Sequence, residues 1–370
     1  MAYMQRVRLT KDSDLDDDTT WRYKLPAVGK YTGFEMAINC NRFATRAANT
    51  TAYTLESQIK KIELLAGGAK ALMSLTGTQL DAMNYWDFRH PNARRYRQEE
   101  DTDNIIHLYL LGGKDLYDRQ YGWDMQKLGE TYLEYTYDLS EGVAEYFKAD
   151  DHDVSLYGWR WMGPGEPSFS GYFRSRQLAA WTTVASAVKT IEIPVGNLVR
   201  RVCAQSKTRA RTLGSCFSEL EVRANDGEFS PVIIKSMMDY LSAEAQEYHL
   251  CNEVGGMDYG IAGTIMDLPP YWSYPESGDV VAYGAAANFA TYWGMMTLPS
   301  RFYADLNDAG EVLFNVRGFG FQKCLRIGFD HEDDGLDLLD ARPLGSLDLV
   351  CTAANADRAV AVFVQDIVNY

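Results

Sequence analysis

Short runs of alternating apolar and polar residues dominate the chain, broken at close intervals by Gly, Asn, Asp or Pro. Leu133 to Tyr137, Leu347 to Val350 and Val360 to Val364 are examples, and Ile105 to Leu111 reads as a strand as well. Alternation with period two places successive side chains on opposite faces of a sheet, so the pattern predicts an all-β sandwich or barrel. Helical periodicity is scarce. Ala71 to Trp86 carries it through Leu72, Leu75, Leu80 and Met83, and Val232 to Tyr248 through Ile233, Met237, Tyr240 and Leu241. Both are read as short helices riding on β domains.

These features occur twice in the same order. Leu25-Pro26-Ala27-Val28-Gly29 resembles Ile193-Pro194-Val195-Gly196, and each precedes an apolar strand, Phe34 to Ile38 or Leu198 to Ala204. A second strand follows, Ile59 to Leu65 or Phe217 to Val222, and ends in a turn at Gly67-Gly68 or Asn225-Asp226-Gly227. One of the two helical stretches comes next. Further on, Gly122-Trp123-Asp124-Met125 and Leu128-Gly129 match Gly335-Leu336-Asp337-Leu338 and Leu344-Gly345. Ordered recurrence of this kind is the signature of a duplication. The boundary falls between Ala149 and Lys189, where Gly163-Pro164-Gly165-Glu166-Pro167 marks a loop. The second copy is longer, chiefly over Asn252 to Ser300, a Gly-, Pro-, Tyr- and Ala-rich stretch read as long ordered loops; its Gly255-Gly256-Met257-Asp258-Tyr259-Gly260 is read as flexible.

The 370 residues carry a formal charge of −15, which argues against gripping nucleic acid through the general surface. No apolar run approaches the length of a membrane-crossing helix. The N-terminus, with Arg6, Arg8 and Lys11, lacks the apolar stretch and cleavage site of a signal peptide. Cys40, Cys203, Cys216, Cys251, Cys324 and Cys351 form no C-x-x-C and read as small buried residues of a chain made in a reducing cytosol.

Catalytic motifs are missing. His90, His107, His152, His249 and His331 fall in no metal-ligand spacing, and neither a G-x-S-x-G elbow nor a P-loop is present. Asp330-His331-Glu332-Asp333-Asp334-Gly335 begins like a calcium loop, but Ala341 stands where the acidic twelfth ligand belongs. That run, Asp14 to Asp18 and Asp150 to Asp153 are read as solvated loops. Tyr157, Trp159, Trp161 and Tyr172 could stack on a sugar or could be core and interface aromatics. No residue is assigned to a catalytic, cofactor or metal site.

The repeat unit, Ile62-Glu63-Leu64-x-x-Gly67-Gly68 followed by Leu72-x-x-Leu75-x-Gly77-x-Gln79-Leu80, resembles that of double jelly-roll major capsid proteins of tailless icosahedral, often membrane-containing, bacterial viruses. Leu347 to Val350 and Ala359 to Val364 resemble their last two strands. The resemblance covers roughly Trp21 to Tyr370. It implies two consecutive jelly-roll sandwiches with short helices in the connecting loops: an N-terminal arm over 1–20, a first roll over 21–185, and a second over 186–370 with its long insertion around 252–300. It implies a structural, non-enzymatic protein without cofactors, forming pseudo-hexagonal homotrimers that assemble in the host cytoplasm into a virion shell. Neighbouring capsomers and minor capsid or vertex proteins are the implied partners, with no direct contact with nucleic acid; Met1 to Lys11 is read either as an ordered arm on a neighbouring subunit or as the place of contact with an inner membrane or minor protein, the arm being preferred. The rival readings are a tandem jelly-roll glycan-processing hydrolase and a carbohydrate-binding protein.

Overall fold

The computed structural model describes residues 1–16, 18–42, 54–95, 103–139, 147–208, 211–248, 251–259, 265–267, 272–284, 290–292, 301–303, 310–330 and 337–370. In chain order the first half contributes β1 (Tyr3–Asp14), β2 (Thr20–Lys24), β3 (Lys30–Arg42), β4 (Ile59–Ala66), β5 (Lys70–Leu75), helix α1 (Gly77–Phe88), β6 (Arg94–Arg95), β7 (Asp103–Leu111), β8 (Trp123–Asp124), the one-turn α2 (Met125–Leu128), β9 (Thr131–Tyr137) and β10 (Phe147–Met162). Then come β11 (Gly171–Thr182), β12 (Val188–Glu192), β13 (Leu198–Ser206), the one-turn α3 (Leu213–Cys216), β14 (Phe217–Ala224), β15 (Phe229–Ile234) and helix α4 (Met237–Tyr248). The rest is β16 (Cys251–Tyr259), β17 (Ile265–Asp267), β18 (Trp272–Gly284), β19 (Ala290–Tyr292), β20 (Arg301–Tyr303), β21 (Gly310–Phe321), β22 (Cys324–Gly328), β23 (Leu339–Asp340), β24 (Leu347–Ala353) and β25 (Ala359–Asn369).

Sheet order shows the duplication directly. In the first half β2-β9-β4-β5 faces β1-β10-β3-β7, with β8 also pairing β3. In the second half β12-β24-β14-β15 faces β11-β25-β13-β22, with β23 also pairing β13. Strand for strand the two orders are the same. Each pair of sheets encloses its own core, lined by apolar residues from the facing strands. Phe34, Met36 and Ile38 of β3 meet Ile62 and Leu64 of β4 in the first core. Val202 and Ala204 of β13 meet Leu220 and Val222 of β14 in the second.

Three expectations change. The helical stretch Ala71 to Trp86 is a strand to Leu75 and a helix only from Gly77, where Thr76 caps it and Gln79 bonds back to close a capping box. Val232 to Tyr248 divides the same way between β15 and α4. Apolar residues of a buried strand and of the helix after it run together, and only the cap separates them. The described residues of the insertion over 252–300 lie in strands: β16, β18 and β19 form a separate antiparallel sheet with β21, and Gly255-Gly256 lies in β16, paired with Phe314 and Leu313. Residues 3–14 are no free arm but an edge strand registered on β10 from Tyr3↔Met162 to Asp14↔Asp153. The strand over 171–182 joins the second-half sheet through β25 and also runs parallel to β5 at Ser175↔Met73 and Arg176↔Ser74. That short parallel contact joins sheets of both halves into one of nine strands.

Candidate functional site: a charged seam and a half-covered sheet face

Helix α1 packs into the first core and lies between the two rolls. Leu80, Met83, Tyr85 and Trp86 are all buried, and Asn84 Nδ2 donates to the Tyr109 carbonyl on β7 at 2.6 Å, tying the helix to its own roll. Its other side lies against the outer face of β11-β25-β13-β22. There Gln205 Nε2 donates to Thr78 Oγ1 (3.1 Å), and Gln79 Nε2 donates to Gln177 Oε1 (2.8 Å). A helix covered on both sides has to be apolar or internally paired all round.

Charge concentrates at the end of this helix. A register shift between Val199 and Arg201 brings two consecutive arginines of β13 to the same group, against the usual alternation. Arg200 Nη1 donates to Asp87 Oδ1 at 2.8 Å, and Arg201 Nη2 donates to the same oxygen. Arg200 also reaches Asp330 (3.0 Å) and Gln365 (3.1 Å), and Arg201 reaches Gln365 (2.9 Å). All of these side chains are buried; Arg201 is 0% exposed. Burial pushes the Arg201 guanidinium below its ordinary pKa, and Asp87 works against that shift. A second cluster stands beside it: Asp81 accepts from Arg94 (3.2 Å) and Asn92 (2.9 Å), while Gln322 Nε2 donates to Asp81 and, at 3.0 Å, to Glu56. Gln322 and Lys323 make the turn from β21 to β22 with φ of 51° and 53°, a left-handed pair uncommon outside glycine. The buried amide of Gln322 holds that turn against the first roll.

The equivalent outer face of the first roll carries a different cluster. Glu35 on β3 is buried, and both its oxygens are engaged. Arg6 of β1 donates from Nε to Oε2 (2.7 Å) and from Nη2 to Oε1 (2.8 Å); His107 Nδ1 lies 2.9 Å from Oε1, and Trp159 Nε1 donates to Oε2 at 3.2 Å. Burial alone would raise the carboxyl, but the hydrogen bonds from His107 and Arg6 outweigh it and hold the pKa at about 2. The Arg6 guanidinium also sits over the Tyr157 ring, 3.6 Å from its centre. Four strands are thereby tied through one carboxylate.

The remaining candidate residues are scattered. His90 is exposed and His152 fully buried, bonded to Tyr135 and edge-on to Tyr137. His249 and His331 lie outside the described residues, as does most of the acidic run 330–335. Its first member, Asp330, is a seam residue rather than part of a solvated loop. Among the described residues no group of three His, Cys, Asp or Glu is arranged to hold a metal ion. The four aromatics do not form one platform: Tyr157 and Trp159 share the outer face of the first roll, whereas Trp161 and Tyr172 are buried. Cys40, Cys203, Cys216, Cys324 and Cys351 are buried, and burial pushes the Cys203 thiol up to about 12. Sequence reasoning missed the seam altogether. Its one signal is Arg200-Arg201 in the middle of an apolar strand, where alternation cannot send both to solvent.

No family model and no curated protein matches the sequence. Solved structures do match, over nearly the whole chain. The STIV MCP crystal structure superposes with a TM-score of 0.59 at 11% identity, over 98% of this chain and 96% of that one. The major capsid protein of bacteriophage PM2 gives 0.54 at 10% identity, over 100% and 98%. PBCV-1 VP54, fitted into a reconstruction of the virophage Sputnik, gives 0.56 at 8% identity, over 99% and 94%. At such identity the likeness is one of fold, and it agrees with the repeated sheet order: this chain is a double jelly roll, the fold it shares with the major capsid protein of bacteriophage PM2.

Proposed function

We propose that the protein is a structural major capsid protein, without enzymatic activity, that assembles as pseudo-hexagonal homotrimers into an icosahedral virion shell in the host cytoplasm. The observation that carries this reading is the end-to-end double jelly roll, matched over 100% of this chain and 98% of the PM2 capsid protein. Two similar rolls in one chain allow three chains to present six similar outer surfaces, as a hexagonal lattice position needs. The domain boundary that suits this reading is the 163–170 connection, with β11 counted in the second roll and β1 in the first. The Met1 to Lys11 segment serves the shell as an edge strand: Arg6 is engaged with Glu35 and so is not held ready for a membrane. Neighbouring capsomers are the main partners, with minor capsid or vertex proteins at the symmetry axes. A net charge of −15 keeps free subunits mutually repelling before assembly.

Light scattering on the purified chain tests the reading. The expected mass is about 125 kDa, three times 41.7 kDa, with hexagonal outlines in negative stain. A chain that stays monomeric at every concentration and forms no shells when expressed with its companion virion proteins would overturn it.

A further inference from the structure

Acidic residues outnumber basic ones by 51 to 36, so a cation on this surface rarely lacks a carboxylate. Even exposed arginines find one: Arg22 pairs with Glu134, Arg223 with Glu221 and Arg342 with Asp340. Lys207, Arg211 and Arg358 are exceptions. None of the three makes an ion pair among the described residues.

The three stand together at one end of the second roll. Lys207 and Arg211 lie in the connection from β13 to α3, and Arg358 in the connection from β24 to β25. Backbone and hydroxyl groups lock these connections to each other. The Lys207 N–H donates to the Ala359 carbonyl at 2.8 Å, and Thr208 Oγ1 accepts from the Ala359 N–H at 2.7 Å. Asn355 Nδ2 donates to the Ser215 carbonyl at 2.9 Å. The connection from β11 to β12 joins them through Thr183. Its N–H donates to the Arg358 carbonyl (2.8 Å), and its Oγ1 accepts from the Arg358 N–H (3.1 Å). Beneath, the buried Lys323 ammonium donates to the Thr208 carbonyl at 3.0 Å. Asp357 is the only carboxylate in the described parts of the three connections. A surface braced in this way needs little ordering when it binds, so its charges act on a ligand at small entropic cost.

The side chains around the cations narrow the choice of anion. Thr182, Ser186 and Asn355 are exposed and Thr212 is half-exposed, offering hydroxyls and an amide. No aromatic residue lies in the described parts of the connections, so the bases of a nucleic-acid strand would have nothing to stack on. Hydroxyls beside unpaired cations suit a chain of acidic sugars, whose carboxylate or sulfate groups accept charge-assisted hydrogen bonds from Lys and Arg.

We propose that this loop cluster is a binding site for an acidic polysaccharide. The site does not rest on the capsomer reading: one chain carries all of it, and an assembly of many chains adds avidity.

The test uses the full chain on immobilised heparin (sulfated) and polygalacturonate (carboxylated), with neutral dextran and oligo(dT) alongside. One or both acidic polysaccharides should retain the chain at low salt and release it as salt rises, while dextran does not retain it and oligo(dT) binds more weakly. Lys207→Glu with Arg211→Glu should weaken that binding by at least about tenfold, whereas Lys70→Glu with Arg119→Glu, the same change of charge on the first roll, should weaken it by less than about twofold. Equal losses in the two double variants would mean attraction by net charge alone and would overturn the site. So would failure of both acidic polysaccharides to retain the chain, or tighter binding to oligo(dT). If the first double variant does not fold, acetylation of Lys207 in the parent decides: bound polysaccharide should slow it several-fold, and an unchanged rate would overturn the site.

Discussion

Replacing Glu35 by glutamine removes the charge that ties β1, β3, β7 and β10 together. Its pKa is held at about 2 against an ordinary 4.5. A shift of 2.5 units at about 1.36 kcal/mol per unit is about 3 kcal/mol. Because the folded pKa lies below the unfolded one, this stabilisation is fully present above pH about 4.5 and is lost as pH falls towards 2. Linkage leaves about 1.4 kcal/mol of it at pH 3. Glutamine keeps one acceptor but no charge, so Glu35→Gln should cost about 3 kcal/mol at pH 7 and much less at pH 3. Urea unfolding of both proteins at a series of pH values reads this directly, provided both are held at one concentration, since any oligomer adds to apparent stability. A variant within about 0.5 kcal/mol of the parent at pH 7 would refute the reasoning, as would a loss of constant size from pH 7 to 3.

Two further outcomes follow from the seam and from the helix beneath it. Asp87→Ala leaves Arg200 and Arg201 buried without their shared carboxylate and should destabilise by about 3–5 kcal/mol, with Asp87→Asn less damaging because an acceptor oxygen remains; denaturant midpoints measure both. Gly77→Ala drives a Cβ against the Glu56 carbonyl and to 2.6 Å from Ile59 Cβ, and should lower stability by about 1–3 kcal/mol despite alanine's better helix propensity, which a thermal melt checks.

Much of the fold was legible because strands announce themselves by alternation and turns by residue type. Gly67 and Gly68 adopt φ of 58° and 78°, and Asn225-Asp226-Gly227 is left-handed throughout, so the matched turns were physical necessities of the two hairpins. The start of α1 was less legible: Leu72 and Leu75 belong to a strand, yet they fall in step with Leu80 and Met83 of a helix buried on both sides. Burial on both sides removes the polar face that makes periodicity readable. The seam was hidden for another reason. Asp81, Asp87, Arg94 and Asp330 look like ordinary solvated charges, and only the tertiary approach of the rolls brings them together. The sheet over β16 and β18 was hidden because its glycines and prolines carry loop statistics, while pairing with β21 supplies backbone hydrogen bonds whatever the side chains.

The short parallel contact of β5 with β11 bears on whether the halves can live apart. Each strand there uses the other to cover an edge that would otherwise present unpaired N–H and C=O groups to any passing chain. Cutting the chain in the 163–170 connection and expressing the pieces separately would bare both edges, and would bring Arg200 and Arg201 to the surface of one fragment. Such pieces would be sticky at once. The two rolls repeat one strand order, yet they are not interchangeable parts: each covers an edge or a charged face that the other leaves bare.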